Sequence, residues 1–81
     1  MESQPDTSRH TIVELRLAHL RAASAAQRGW YHVAVQHHLY CMDQVSTVGD
    51  VKATAFFASQ LAQSYRAMGF EEKAHQFEIL R

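Results

Sequence analysis

The sequence predicts an all-α fold: four antiparallel helices arranged as two helix–turn–helix hairpins. Three observations lead there. Apolar residues recur at three- and four-residue spacing, and no segment alternates apolar and polar for long enough to form a strand. The breaks between the periodic stretches are short, which makes successive helices antiparallel neighbours. Finally, a glycine, an aromatic and an alanine return at one phase forty residues apart: Gly29-Trp30-Tyr31-His32-Val33-Ala34 is answered by Gly69-Phe70-Glu71-Glu72-Lys73-Ala74. The same offset pairs Ala18 with Ala58, Ala22 with Ala62 and Ser24 with Ser64. A repeated helix–glycine–helix unit points to a surface that binds another macromolecule rather than to a pocket that does chemistry.

Residues 1–10 are polar, hold the only proline and read as a flexible N-terminal arm. Residues 11–81 read as a single helical domain, with one hairpin over 11–45, a loop at 46–50 and a second hairpin over 51–81. The first helix is expected to start near Thr11, where Thr11 and Glu14 have the spacing of a capping box. Its apolar stripe is Ile12, Leu15, Ala18, Ala22 and Ala25, widened by Val13, Leu17 and Leu20. Glu14, Arg21 and Arg28 recur every seven residues and read as a solvated face. Gly29 ends the helix, as a residue that tolerates positive φ does at a helix C-terminus.

The second helix is expected over about Tyr31 to Val45. Ala34, His38, Cys41 and Val45 form one face, and Val35, Leu39 and Met42 the adjacent one. Asp50 is placed to cap the third helix, which carries Val51, Ala55, Ala58, Leu61, Ala62, Tyr65 and Met68 as its apolar set. Gly69 ends it. Glu71 and Glu72 then fall in the first turn of a fourth helix, where acidic side chains oppose the positive end of the helix dipole. Ala74, Phe77 and Leu80 complete its buried stripe.

Composition narrows the function. Eight Lys and Arg balance eight Asp and Glu, so the basic excess that drives phosphate binding is missing and a nucleic-acid partner is disfavoured. One cysteine, Cys41, allows no intramolecular disulfide. No stretch is apolar for long enough to span a membrane, and residues 1–11 lack a hydrophobic run. A cytoplasmic location is expected.

The run Leu61-Ala62-Gln63-Ser64-Tyr65-Arg66-Ala67-Met68-Gly69-Phe70-Glu71-Glu72-Lys73-Ala74 resembles the core of a tetratricopeptide repeat. Leu61, Ala62, Tyr65, Gly69 and Ala74 stand at the positions that set the packing of helix A on helix B in that family, and Ala22, Gly29 and Ala34 repeat part of the pattern. The period is about forty residues rather than 34, Ala25 occupies the tyrosine position, and Ala18 and Ala58 occupy the early tryptophan position. An ordinary four-helix bundle is the alternative. The resemblance implies a protein- or peptide-binding module, an adaptor or assembly factor without a cofactor. Carried over by position, its concave A-helix face would present Arg16, His19, Ala23 and Gln27 with Phe56, Ser59, Gln63 and Arg66. Two arginines there suit a ligand bearing a carboxylate.

Large side chains crowd the remaining surface. Trp30, Tyr31, Tyr40, Phe77 and Leu80 exceed what four short helices can hide, which predicts self-association as a homodimer or docking on a larger partner. Alternatively, Trp30 and Phe70 plug the hairpin turns. Two chemical alternatives are weaker. His37 and Cys41, at i and i+4, could reach one metal ion, and His38 with Met42 forms a similar pair suited to haem iron, which would make the chain a metal- or haem-binding sensor. Cys41 beside His37 could also form a minimal nucleophile–base pair. No further ligands stand at metal-site spacing, no glycine-rich phosphate loop is present, and no enzyme activity is expected.

Overall fold

The computed structural model describes residues 4–80, with side chains from Ile12 to Leu80. It contains four helices, α1 (Gln4–Gln27), α2 (Tyr31–Thr47), α3 (Val51–Ala67) and α4 (Glu71–Leu80), and no strand among the described residues. Each helix packs against the next, so α2 lies between α1 and α3. The all-α expectation holds.

All three turns are one structure. In each, a glycine sits at positive φ: 81° at Gly29, 76° at Gly49 and 87° at Gly69. The residue after the glycine donates its N–H across six residues: Trp30 to the Ala25 carbonyl at 2.8 Å, Asp50 to Val45 at 2.9 Å and Phe70 to Tyr65 at 2.9 Å. The glycine N–H itself reaches Ala26, Ser46 and Arg66, each at 3.0 Å. These paired bonds form the Schellman closure, which satisfies helix-end carbonyls and needs a left-handed residue at its corner. The glycines are twenty residues apart, so one helix plus one turn is a twenty-residue step and the forty-residue recurrence spans two steps.

This corrects the expected loop at 46–50. Helix α2 continues to Thr47 and only residues 48–50 turn. The hydroxyls of Ser46 and Thr47 donate to the Asp43 carbonyl at 3.2 and 2.8 Å, which keeps both residues in the last helical turn. The N-terminal boundary also differs. Helix α1 begins at Gln4 rather than Thr11. Pro5 falls in the first turn, where a missing N–H breaks no helical bond, so the proline is compatible with a helix start. Thr11 is therefore in mid-helix and has no helix start to cap. Residues 1–3 of the expected arm lie outside the described residues. The cap at Asp50 is present: its Oδ1 accepts from the Ala53 N–H at 3.0 Å.

Burial follows the twenty-residue step. Ala18, His38 and Ala58 stand in register on successive helices and are 6%, 1% and 0% exposed. One core cluster joins Ala18, Cys41, Val45 and Phe57, flanked by Leu15, Met42 and Ala53. A second consists of Ala22, Ala25 and Ala34, where alanine on both sides lets α1 and α2 pack with no large side chain between them. Leu61 is fully buried on α3, and Ala74 is the buried residue of α4. Several expected core positions are not core. Ile12, Val13, Leu17 and Leu20 on α1, Val51 on α3 and Leu80 on α4 are all exposed. Helix α1 has too many apolar positions for its contacts, which run mainly to α2.

Candidate interaction surface

Helices α1 and α3 meet where His19 packs edge-on against two phenylalanines, with ring centroids 5.5 Å from Phe56 and 5.6 Å from Phe57. Phe56 and Phe57 contact each other at 5.2 Å in the same edge-to-face manner. Beyond this junction the two helices frame a groove of about 310 Å³. Ala23, Ala26 and Gln27 form one wall and Gln60, Gln63, Ser64 and Ala67 the other, with Tyr31 and His38 contributed by α2. No lining residue is an Asp, Glu, Lys or Arg.

His38 is nearly inaccessible, and among the described residues neither ring nitrogen has a hydrogen-bond partner. The same is true of His19 Nδ1, and the two imidazoles lie 5.6 Å apart. Burial pushes the His38 pKa from its ordinary 6.5 down to about 4, with smaller contributions from His19 and His37. His38 is therefore neutral at pH 7.

The residues expected on the concave face divide. Ala23, Gln27 and Gln63 line the groove. Ser59 is half-buried, and Phe56 is exposed beside the junction. His19 is drawn inward to join α1 to α3. Arg16 is exposed beside Ile12, Val13, Leu17 and Leu20, in a separate hollow. Arg66 turns to α4, where its Nε donates to Glu71 at 3.0 Å and its Nη1 to Glu78. Those two hydrogen bonds raise the guanidinium pKa further. The paired arginines expected to receive a carboxylate are thus not brought together, since neither lines the groove and Arg66 already has two.

The aromatic edge is also divided. Tyr31 lines the groove rather than an outer edge. Tyr40 is on the far side, its hydroxyl donating to Glu14 at 3.4 Å. Phe77 stacks on Tyr65 at 5.5 Å with the rings nearly parallel. Trp30 lies under the Arg28 guanidinium at 5.1 Å and stays half exposed, as does Phe70, so neither is buried as a plug at its turn. The open α3–α4 turn forms a hollow of about 590 Å³ between Tyr65, Phe70 and Lys73. Its walls come from α3, the turn and α4, and all but Gln76 of its lining falls within the Leu61–Ala74 run.

The metal-site pairs do not assemble. His37 lines an outer hollow with Tyr40, whereas Cys41 is enclosed in the core and its Sγ donates to the Leu15 carbonyl at 3.7 Å. Burial pushes the Cys41 thiol up to about 11, so the thiolate that binds metal or attacks carbon is scarce at neutral pH. Met42 packs against the core cluster. Among the described residues no three His, Cys, Asp or Glu side chains are placed to hold a metal ion. No helix among them is long and apolar enough to cross a membrane.

Gln60, Ser64 and His38 line the groove in addition to the residues expected from the A-helix register. The signal is partly there, because Gln60 lies one turn before both Gln63 and Ser64. Comparison with protein-family models, with curated proteins and with solved structures returned no match to this chain.

Proposed function

We propose that this chain is a non-catalytic protein-interaction module, an adaptor or assembly factor of tetratricopeptide-like design, which takes an extended peptide segment in the groove between α1 and α3. The observation that carries this reading is the lining of that groove. Gln27, Gln60 and Gln63 supply carboxamides from both walls, and each carboxamide can donate and accept at once. That is the complement of a peptide main chain, which presents one donor and one acceptor per residue. Exposed Phe56 adds an apolar contact beside the groove. The engagement of Arg66 by Glu71 and Glu78 favours an uncharged segment over the acidic ligand expected from sequence. The buried, weakly acidic Cys41 thiol supports a binding role over nucleophilic chemistry and suits a reducing compartment such as the cytoplasm.

Selection from a random peptide display library, followed by amide shift mapping of a selected peptide, tests the reading. Shifts should cluster at Ala23, Gln27, Gln60 and Gln63. The double substitution Gln27→Ala and Gln63→Ala should weaken binding roughly tenfold or more, at about one neutral hydrogen bond per side chain. Peptides that map to the α3–α4 turn, or whose affinity survives the double substitution, would remove the groove from the account.

A further inference from the structure

Helix α1 is apolar on two opposite sides. Leu15, Ala18, Ala22 and Ala25 face the core, while Val13, Leu17 and Leu20 remain 49%, 44% and 57% exposed on one row of the other side. A helix that is apolar most of the way round belongs between layers, and neither α2 nor the α3 contact at His19 covers this row. Beside that row α2 adds Val33, 43% exposed, and Tyr40, 38% exposed. Val13, Leu17, His37 and Tyr40 line a shallow hollow of about 440 Å³ on this outer α1–α2 face together with Glu14 and Arg21, and Glu14 accepts from the Tyr40 hydroxyl across it while staying exposed. The face is separate from the peptide groove, whose walls are α1 and α3.

The charges on this face are self-complementary. Glu14 and Arg21 are seven residues apart, two helical turns, and flank the Leu17–Ala18 midpoint. An antiparallel α1–α1 crossing centred there places Glu14 opposite Arg21 of a second copy, and Arg21 opposite its Glu14, while the two Leu17 side chains meet at the axis. The chain carries eight basic and eight acidic side chains, so two copies do not repel at long range. We propose that the outer α1–α2 face is a homodimer interface with two-fold symmetry: two α1–α2 hairpins close into a four-helix bundle with an apolar centre and two Glu14–Arg21 ion pairs. A two-fold contact of this kind uses the same patch on both partners and closes without further growth.

Sedimentation equilibrium of the full chain over roughly 1 to 200 micromolar tests this, with circular dichroism confirming helicity. The wild type should be a dimer. Leu17→Glu should weaken the dimer by ~100-fold or more, because it removes two buried leucines and sets two carboxylates at the axis. Leu80→Glu, on the exposed end of α4, should leave the dimer unchanged. Glu14→Arg alone and Arg21→Glu alone should each weaken it by roughly tenfold through like-charge contacts. An equimolar mixture of those two variants should restore association, because every contact across the axis is then between opposite charges. A monomeric wild type would mean that this face belongs to another partner and would overturn the proposal. So would a dimer that survives Leu17→Glu and is lost with Leu80→Glu, or a mixture of the charge variants that fails to recover.

Discussion

The two hairpins turn through the same glycine closure but differ in what fills the contact between their helices. In the α1–α2 hairpin Ala22, Ala25 and Ala34 form one cluster and Leu15 and Ala18 join Cys41, Met42 and Val45 in another, while Val13, Leu17 and Leu20 stay exposed. In the α3–α4 hairpin Leu61 is fully buried, Phe77 stacks on Tyr65, and Arg66 links α3 to both ends of α4 through Glu71 and Glu78. The second hairpin therefore satisfies part of its bulk internally, with Val51, Phe56, Phe70, Ile79 and Leu80 left exposed. The first keeps its apolar surplus outside, on a helix that also forms one wall of the peptide groove. Packing small residues between α1 and α2 is what frees the large ones for other surfaces.

One substitution made in both hairpins sharpens this contrast most. Leu61→Ala should cost about 2–5 kcal/mol in urea denaturation, because it leaves a cavity in a closed site. Leu17→Ala, measured at concentrations too low for association, should cost under about 1 kcal/mol, because nearly half of that side chain already meets water. Equal costs would break the comparison.

Acid should act on the layer between the hairpins. In the denatured chain His38 takes up its proton near its ordinary 6.5, but in the folded protein only near 4. Between those values the denatured state holds more protons, so stability falls as pH drops from about 6.5 towards 4 and then levels off, by on the order of 2–3 kcal/mol. His38→Leu should remove that part of the pH dependence while leaving stability at pH 7 nearly unchanged, since it replaces an unpartnered polar ring by an apolar one. A variant with the full acid sensitivity of the wild type would show that another group is responsible.

The turns should behave alike in both hairpins. A Cβ at Gly29, Gly49 or Gly69 would meet nothing within 4 Å, so the cost of alanine is the left-handed backbone alone, about 1–2 kcal/mol at each site. A much larger loss at one glycine would show that its turn makes contacts the other two lack. The smallest effect is expected from Arg66→Gln. Arg66 and Glu71 are exposed and Glu78 is only part-buried, so the loss should be small and should shrink in high salt.

The helices were legible in the sequence because their period and stop signals are local. Gly29, Gly69 and Asp50 act within a few residues of themselves, and each does what its position predicts. Gly49 was harder to read. Its neighbours Ser46 and Thr47 resemble a loop, and only their hydroxyl bonds to Asp43 show that the helix continues. Pro5 carried an ambiguous signal, since proline marks helix starts as well as irregular chain. The groove was half legible: Gln27 and Gln63 follow from the A-helix register, but the inward turn of His19 and the capture of Arg66 by α4 depend on contacts between elements. The surplus on α1 was visible as a wide stripe, yet which part of it would stay exposed depended on how many neighbours α1 has.

The contrast between the hairpins is tested most directly by backbone amide shifts of the full chain recorded over a range of protein concentration. With rising concentration, shifts should move at Val13, Leu17, Leu20, Val33, His37 and Tyr40 and stay fixed along α4. Shifts that stay constant throughout, or that move at Phe70, Ile79 and Leu80 instead, would contradict the assignment of the interacting surface to the first hairpin.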